Sequence, residues 1–172
     1  MVLEIKFYKI SFALGILIFL TACISNPLNE ATYYRYLKTG YNAEKQMDTL
    51  TAEIAYSRAL GNVYMGNLGS EKKSEALFNL GRLERINGKL DASLKHLLKS
   101  LKIDEKTNKS NDLFIKSTLA EIAKTYYEKG LYMEGEKYLN RLRGLGVSSF
   151  RSEQSKKFIQ KIISQYADKA QK

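Results

Sequence analysis

The 172-residue chain has no Trp, one His, one Cys and one Pro. A single Cys cannot form an internal disulfide, and its isolation removes zinc ribbons, CxxC redox motifs and thiolate metal cages. A single His excludes a His-pair metal centre and obliges any Ser-His or Cys-His catalysis to run through His96. Scarce Pro, with Lys, Leu, Glu and Ala abundant, tilts the whole chain towards helix. Acidic residues are also short: 18 Asp and Glu face 28 Lys and Arg, a net charge of +10. What is present is 44% hydrophobic, enough to exclude disorder for most of the chain, at a length that suits one domain with its own core.

The first 22 residues stand apart. Lys6 and Lys9, diluted by Glu4, precede an unbroken apolar run from Ile10 to Leu20. Eleven residues are too few to span a bilayer, which takes about 20, but they have the length and flanks of a secretory signal's apolar region. Leu20-Thr21-Ala22-Cys23 follows, and these four residues resemble the lipobox of bacterial lipoprotein precursors. The resemblance implies a diacylglyceryl thioether on Cys23, cleavage just before it and acylation of the new amino group. The lone Cys sits where that motif needs a thiol, at the end of the apolar run. The alternatives are an ordinary signal peptide and an uncleaved anchor. A lipidated Cys23 would hold the mature chain by its first residue, with about 0.8 kcal/mol for each buried methylene. Ile24 in place of Asp points to the outer membrane within that resemblance. Residues 23–30 read as a tether of roughly 20 Å at full extension, and 31–172 as a single helical domain.

Along that domain the apolar spacing is helical. Ala31 to Lys38 reads as a short helix ended by Thr39-Gly40, and Ala43 to Met65 as a longer one, followed by a break at Asn67-Leu68-Gly69-Ser70. From Ser74 to Asn87 the apolar positions are Leu77, Leu80, Leu83 and Ile86. Asn87-Gly88 interrupts, and Leu90 to Ile103 continues with Leu94, Leu97, Leu98 and Leu101. So short a turn makes an antiparallel helical hairpin. Gly81 lies mid-helix, at a cost of about 1 kcal/mol against Ala, and a close helix crossing is the usual compensation. A second copy begins 42 residues on: Leu119, Ile122, Ala123 and Gly130 match Leu77, Leu80, Gly81 and Gly88, and Tyr132, Gly135 and Leu139 match Leu90, Ser93 and Leu97.

These residues resemble the tetratricopeptide repeat, a helix-turn-helix of about 34 residues. Counted from Ser74, the bulky Leu77, the pair Leu80-Gly81, Gly88, Leu90 and the small Ser93 and Ser100 match its pattern; Glu84 stands where an aromatic is usual and Glu105 where Pro is. Counted from Lys116, Leu119, Ile122-Ala123, Tyr126, Gly130, Tyr132 and Gly135 match, and Leu142 does not. The repeats are therefore placed at 74–107 and 116–146, separated by the polar Asp104 to Asn111, a longer loop or an extended helix end. Leu60-Gly61-Asn62-Val63-Tyr64 carries part of the signature, so residues 31–70 are either a degenerate repeat or a plain helical pair. The fold expected is all-α, a stack of antiparallel hairpins closed by a capping helix over 149–170, where Phe158, Ile159, Ile162 and Tyr166 share a face. A basic amphipathic helix lying on anionic lipid is the other reading of that segment.

The charge is uneven. Residues 24–70 are neutral overall, whereas 71–172 hold 22 basic and 13 acidic residues. In the repeat family the first helix of each pair lines a concave groove. The resemblance places Phe78, Asn79, Arg82 and Arg85, then Glu121, Lys124 and Tyr127, on that surface. Basic groups beside Phe78 and Tyr127 would suit a protein or peptide partner bearing acidic groups; solvated helix faces are the plainer alternative. Nucleic acid is not expected, because the Lys residues are dispersed without an aromatic platform. No enzyme activity, cofactor, metal or small-molecule substrate is expected either, and His96 reads as a packing residue. The functional expectation is a periplasm-facing lipoprotein acting as an adaptor or scaffold, similar to repeat-containing envelope lipoproteins. An immunity lipoprotein that neutralises a secreted antibacterial toxin is the alternative.

Overall fold

A computed structural model of the chain describes residues 26–107 and 112–145, together with positions 157 and 164. The leader, Cys23 and nearly all of the expected capping helix lie outside these residues. Six helices, α1 (Pro27–Lys45), α2 (Thr49–Gly66), α3 (Ser70–Ile86), α4 (Leu90–Lys106), α5 (Asp112–Glu128) and α6 (Tyr132–Gly144), pack as consecutive antiparallel pairs, with no strand among the described residues. The result is an all-α, tetratricopeptide-like stack. None of these helices is long and apolar enough to cross a membrane.

The first hairpin differs from its expected boundaries. α1 starts at Pro27, inside the expected tether, because Asn26 caps it by accepting from the Leu28 N–H at 3.0 Å and Pro27 suits the first helical turn. It then runs through Thr39-Gly40 to Lys45, and the break falls at Gln46-Met47-Asp48, inside what the spacing gave as one long helix. Gly40 is needed for packing rather than for a turn. A Cβ there would lie 2.6 Å from the Tyr56 ring of α2. Asp48 starts α2 by accepting from the Thr51 N–H at 3.0 Å.

That crossing recurs. A Cβ on Gly81 would meet Leu97 Cγ at 2.8 Å, which is the close approach expected of a mid-helix glycine. Gly40, Gly81 and Ala123 occupy equivalent places at offsets of 41 and 42 residues. The same offsets relate Met47, Gly88 and Gly130, all with positive φ (59°, 77° and 75°), the buried small residues Ala52, Ser93 and Gly135, and the buried Tyr56, Leu97 and Leu139. The first hairpin, over residues 33–66, is thus of the same kind as the other two, in a phase different from the Leu60-Gly61 signature. Gly61 itself has nothing within 4 Å of where a Cβ would sit.

Two hydrophobic clusters join the hairpins. One gathers Tyr33, Tyr56, Ala59 and Val63 with Leu77, Leu80 and Leu83, so that α3 seals the first pair. The other joins Leu94, Leu97 and Leu101 to Leu119, Ile122, Ala123, Leu139 and Leu142, so that α5 seals the second. Small buried hydroxyls stitch the crossings: Ser74 Oγ lies 2.9 Å from Ser100 Oγ, and Ser93 Oγ 3.3 Å from Thr125 Oγ1.

Candidate functional site: a cleft between the first two hairpins

The first helices of successive hairpins, α1 and α3, enclose a cleft of about 670 Å3. α1 contributes Leu37, Lys38, Tyr41, Glu44 and Lys45, α3 contributes Glu75, Phe78, Asn79 and Arg82, and Tyr56 of α2 closes the floor. Helical spacing puts residues 37, 38, 41, 44 and 45 on one face of α1, just as 75, 78, 79 and 82 share one face of α3.

Its acids are already engaged. Glu44 Oε1 accepts from Arg82 Nη2 at 2.6 Å and from the Tyr56 hydroxyl, while Glu75 Oε2 accepts from the Tyr33 hydroxyl at 2.5 Å. Burial first, then the bonded carboxylates, push both tyrosine hydroxyls well above their ordinary range, so they remain protonated donors. The cations are less committed. Lys38 makes no ion pair within the described residues, and Lys45 Nζ stands 4.5 Å over the Tyr41 ring, a cation–π contact. Asn79 makes no side-chain hydrogen bond there, which leaves an amide donor and acceptor beside Phe78. The open surface therefore offers apolar rings, two ammonium groups and one free amide. That combination suits a segment with a bulky apolar side chain and a nearby carboxylate. The lining contains no Ser, Cys or His.

The residues expected to line one groove divide. Phe78, Asn79 and Arg82 face the cleft. Arg85, Glu121 and Lys124 instead form an ion cluster between α3 and α5: Arg85 Nε reaches Glu121 Oε2 at 2.9 Å, its Nη1 reaches Glu128 at 2.6 Å, and Lys124 Nζ reaches Glu121 Oε1 at 2.7 Å. Burial opposes ionisation of Glu121, but Lys124 and Arg85 outweigh it and hold the carboxyl below its ordinary 4.5. Burial likewise opposes the charge on Arg85, and the two glutamates overcome it. Tyr127 is only 4% exposed, with its ring against Gly135 and its hydroxyl donating to Glu136 at 2.6 Å, so it packs inside the third hairpin rather than facing a partner. Cys23 lies outside the described residues.

Half of the cleft was missed from sequence. Leu37, Lys38, Tyr41, Glu44 and Lys45 belong to the hairpin that the partial Leu60-Gly61 signature puts in another phase, and the 41-residue offset from Gly40 to Gly81 is the sequence signal that points to them. Glu84, which stands in place of an aromatic, is buried and lies 2.7 Å from His96 Nδ1. The lone His thus fills a packing role with an acid partner. No group of His, Cys, Asp and Glu among the described residues could hold a metal ion. No protein-family model matches the chain, and no curated protein matches it either.

Proposed function

We propose that this chain is a lipid-anchored protein of the bacterial envelope that holds a protein partner in the cleft between α1 and α3. The cleft carries the reading: rings of Tyr41 and Phe78, the amide of Asn79 and the ammonium groups of Lys38 and Lys45 converge on one open surface whose acids are already bonded. The partner is a peptide segment with an apolar anchor and an acidic side chain, and the role is that of an adaptor. The Leu20-Thr21-Ala22-Cys23 pattern supports anchoring through Cys23.

Affinity capture from envelope extracts with the anchored protein tests it. The variant Lys38→Glu with Phe78→Ala should lose the captured partner, whereas Lys137→Glu, on the exposed side of α6, should keep it. Equal capture by both variants would remove the cleft from the function. Recovery of a single secreted toxin would replace the adaptor role with immunity. For the anchor, Cys23→Ser should leave the precursor unprocessed or release it from membranes, and unchanged fractionation would sink that part.

A further inference from the structure

The three hairpins are built alike, so equivalent positions on their second helices show what each surface has been given. On α2 the solvent side presents Leu50, Ile54, Gly61 and Met65, with the exposed Ser57 and Arg58 between Ile54 and Gly61; Leu50 is 63%, Ile54 55% and Met65 71% exposed. Forty-one residues on, the same places on α4 hold Asp91, Lys95, Lys102 and Lys106. The places that carry exposed apolar side chains on α2 thus carry a lysine row on α4, the second helix of the next hairpin. Two acids of α4 are paired, Asp91 with Lys129 and Glu105 with Arg141, and Asp104 is partly buried, while Lys95, Lys99, Lys102 and Lys106 make no ion pair within the described residues.

The course of the chain decides what can cover this face. Asn26 N–H donates to Gly66 O at 3.2 Å, so the polypeptide enters the fold against the last turn of α2, next to Met65. Cys23 is three residues earlier, within roughly 11 Å even when fully extended. We infer that the outer face of α2 and α4 seats on an anionic lipid bilayer, apolar stripe into the interface and lysine row against the headgroups. This rests on the lipid anchoring of Cys23. A stack standing on the end of α2 would leave Leu50 roughly 22 Å from the surface at about 1.5 Å per residue, and Lys95 far from the headgroups; lying flat engages both helices. The cleft, lined mainly by the first helices of the hairpins, then opens away from the membrane towards a partner.

The full chain, produced in a lipoprotein-processing bacterium and reconstituted through its own anchor, provides the test. Because Cys23 is the sole native thiol, Ile54→Cys and Lys38→Cys give single labelling sites for a fluorophore read against a bilayer-borne quencher. In phosphatidylcholine vesicles containing phosphatidylglycerol, the label at 54 should be quenched several-fold more than the label at 38. The difference should collapse in about 1 M salt, where screening acts within about 3 Å. Each of Lys95→Gln, Lys99→Gln and Lys102→Gln should lower the docked-to-undocked ratio about fivefold. Equal quenching at 54 and 38, with the mass of the Cys23 peptide showing its lipid, overturns the docking and leaves the anchor standing; an unmodified Cys23 overturns both. A dimer in detergent that Ile54→Asp converts to monomer would give the face to a second copy and overturn the proposal.

Discussion

Glycines of identical helical context behave oppositely in this chain, and the difference is a matter of what faces them. Gly61 looks into open space, so Gly61→Ala should stabilise by up to about 1 kcal/mol through helix propensity alone. Gly81 faces Leu97 at 2.8 Å, so Gly81→Ala should lose about 1–2 kcal/mol net despite the same propensity gain. Thermal unfolding reads both, at about 2–4 °C per kcal/mol for a chain of this size. Met47 carries φ 59°, 89% exposed, at the place that Gly88 and Gly130 fill in the other hairpins. Met47→Gly should therefore stabilise the fold by about 1 kcal/mol from relieved left-handed strain, read as a higher denaturation midpoint. The need for a close approach at Gly81 is legible from helix propensity. The roles of Gly40 and Gly61 are not, because a glycine has the same one-letter code whether it turns the chain, admits a neighbour or does neither.

At the scale of helices, α3 and α5 are joined by the Arg85 cluster as well as by apolar packing. Arg85 and Glu121 side chains are 15% and 7% exposed, so removing the guanidinium leaves a buried carboxylate with only Lys124. Arg85→Ala should cost about 2–4 kcal/mol in urea unfolding at neutral pH, and much less in a Glu121→Gln background. The pH dependence has a definite sign. Glu121 titrates below its ordinary 4.5 in the folded state, so its contribution is complete above that value and is lost as pH falls through the lower folded value. Glu53, where burial is outweighed by Lys89 and Asn87, and Glu136, where burial is outweighed by Tyr127 and Arg143, add in the same direction. The urea midpoint should therefore fall as pH drops below about 4.5, and Glu121→Gln should flatten that slope. A midpoint independent of pH there would contradict the cluster's role. From sequence these charges read as groove-facing; pairing between helices 36 residues apart is invisible to a helical wheel, which places a side chain on a face but not against a partner.

For the molecule as a whole, the hairpins set two surfaces apart. The first helices enclose the cleft, and the second helices carry the apolar stripe and the lysine row on their solvent side. The cleft belongs to the first two hairpins only, since the corresponding surface between α3 and α5 is filled by the Arg85 cluster. A partner that uses the cleft should thus depend on Lys38, Tyr41 and Phe78 and be indifferent to Lys124. Lys124→Gln should keep capture within a factor of about two while Lys38→Glu abolishes it, the charge contact being worth several such factors.

The sequence by itself determined that the chain is helical, that its second and third hairpins turn at Asn87-Gly88 and Gly130, and that Gly81 marks a crossing. Those are consequences of local spacing and of what one residue type can do. Only the tertiary structure decided the phase of the first hairpin and which charges remain open. The 41-residue offset from Gly40 to Gly81 is present in the sequence but competes there with the Leu60-Gly61 signature until packing selects one, and an arginine is a binding group or a structural one according to whether a glutamate from another helix reaches it first.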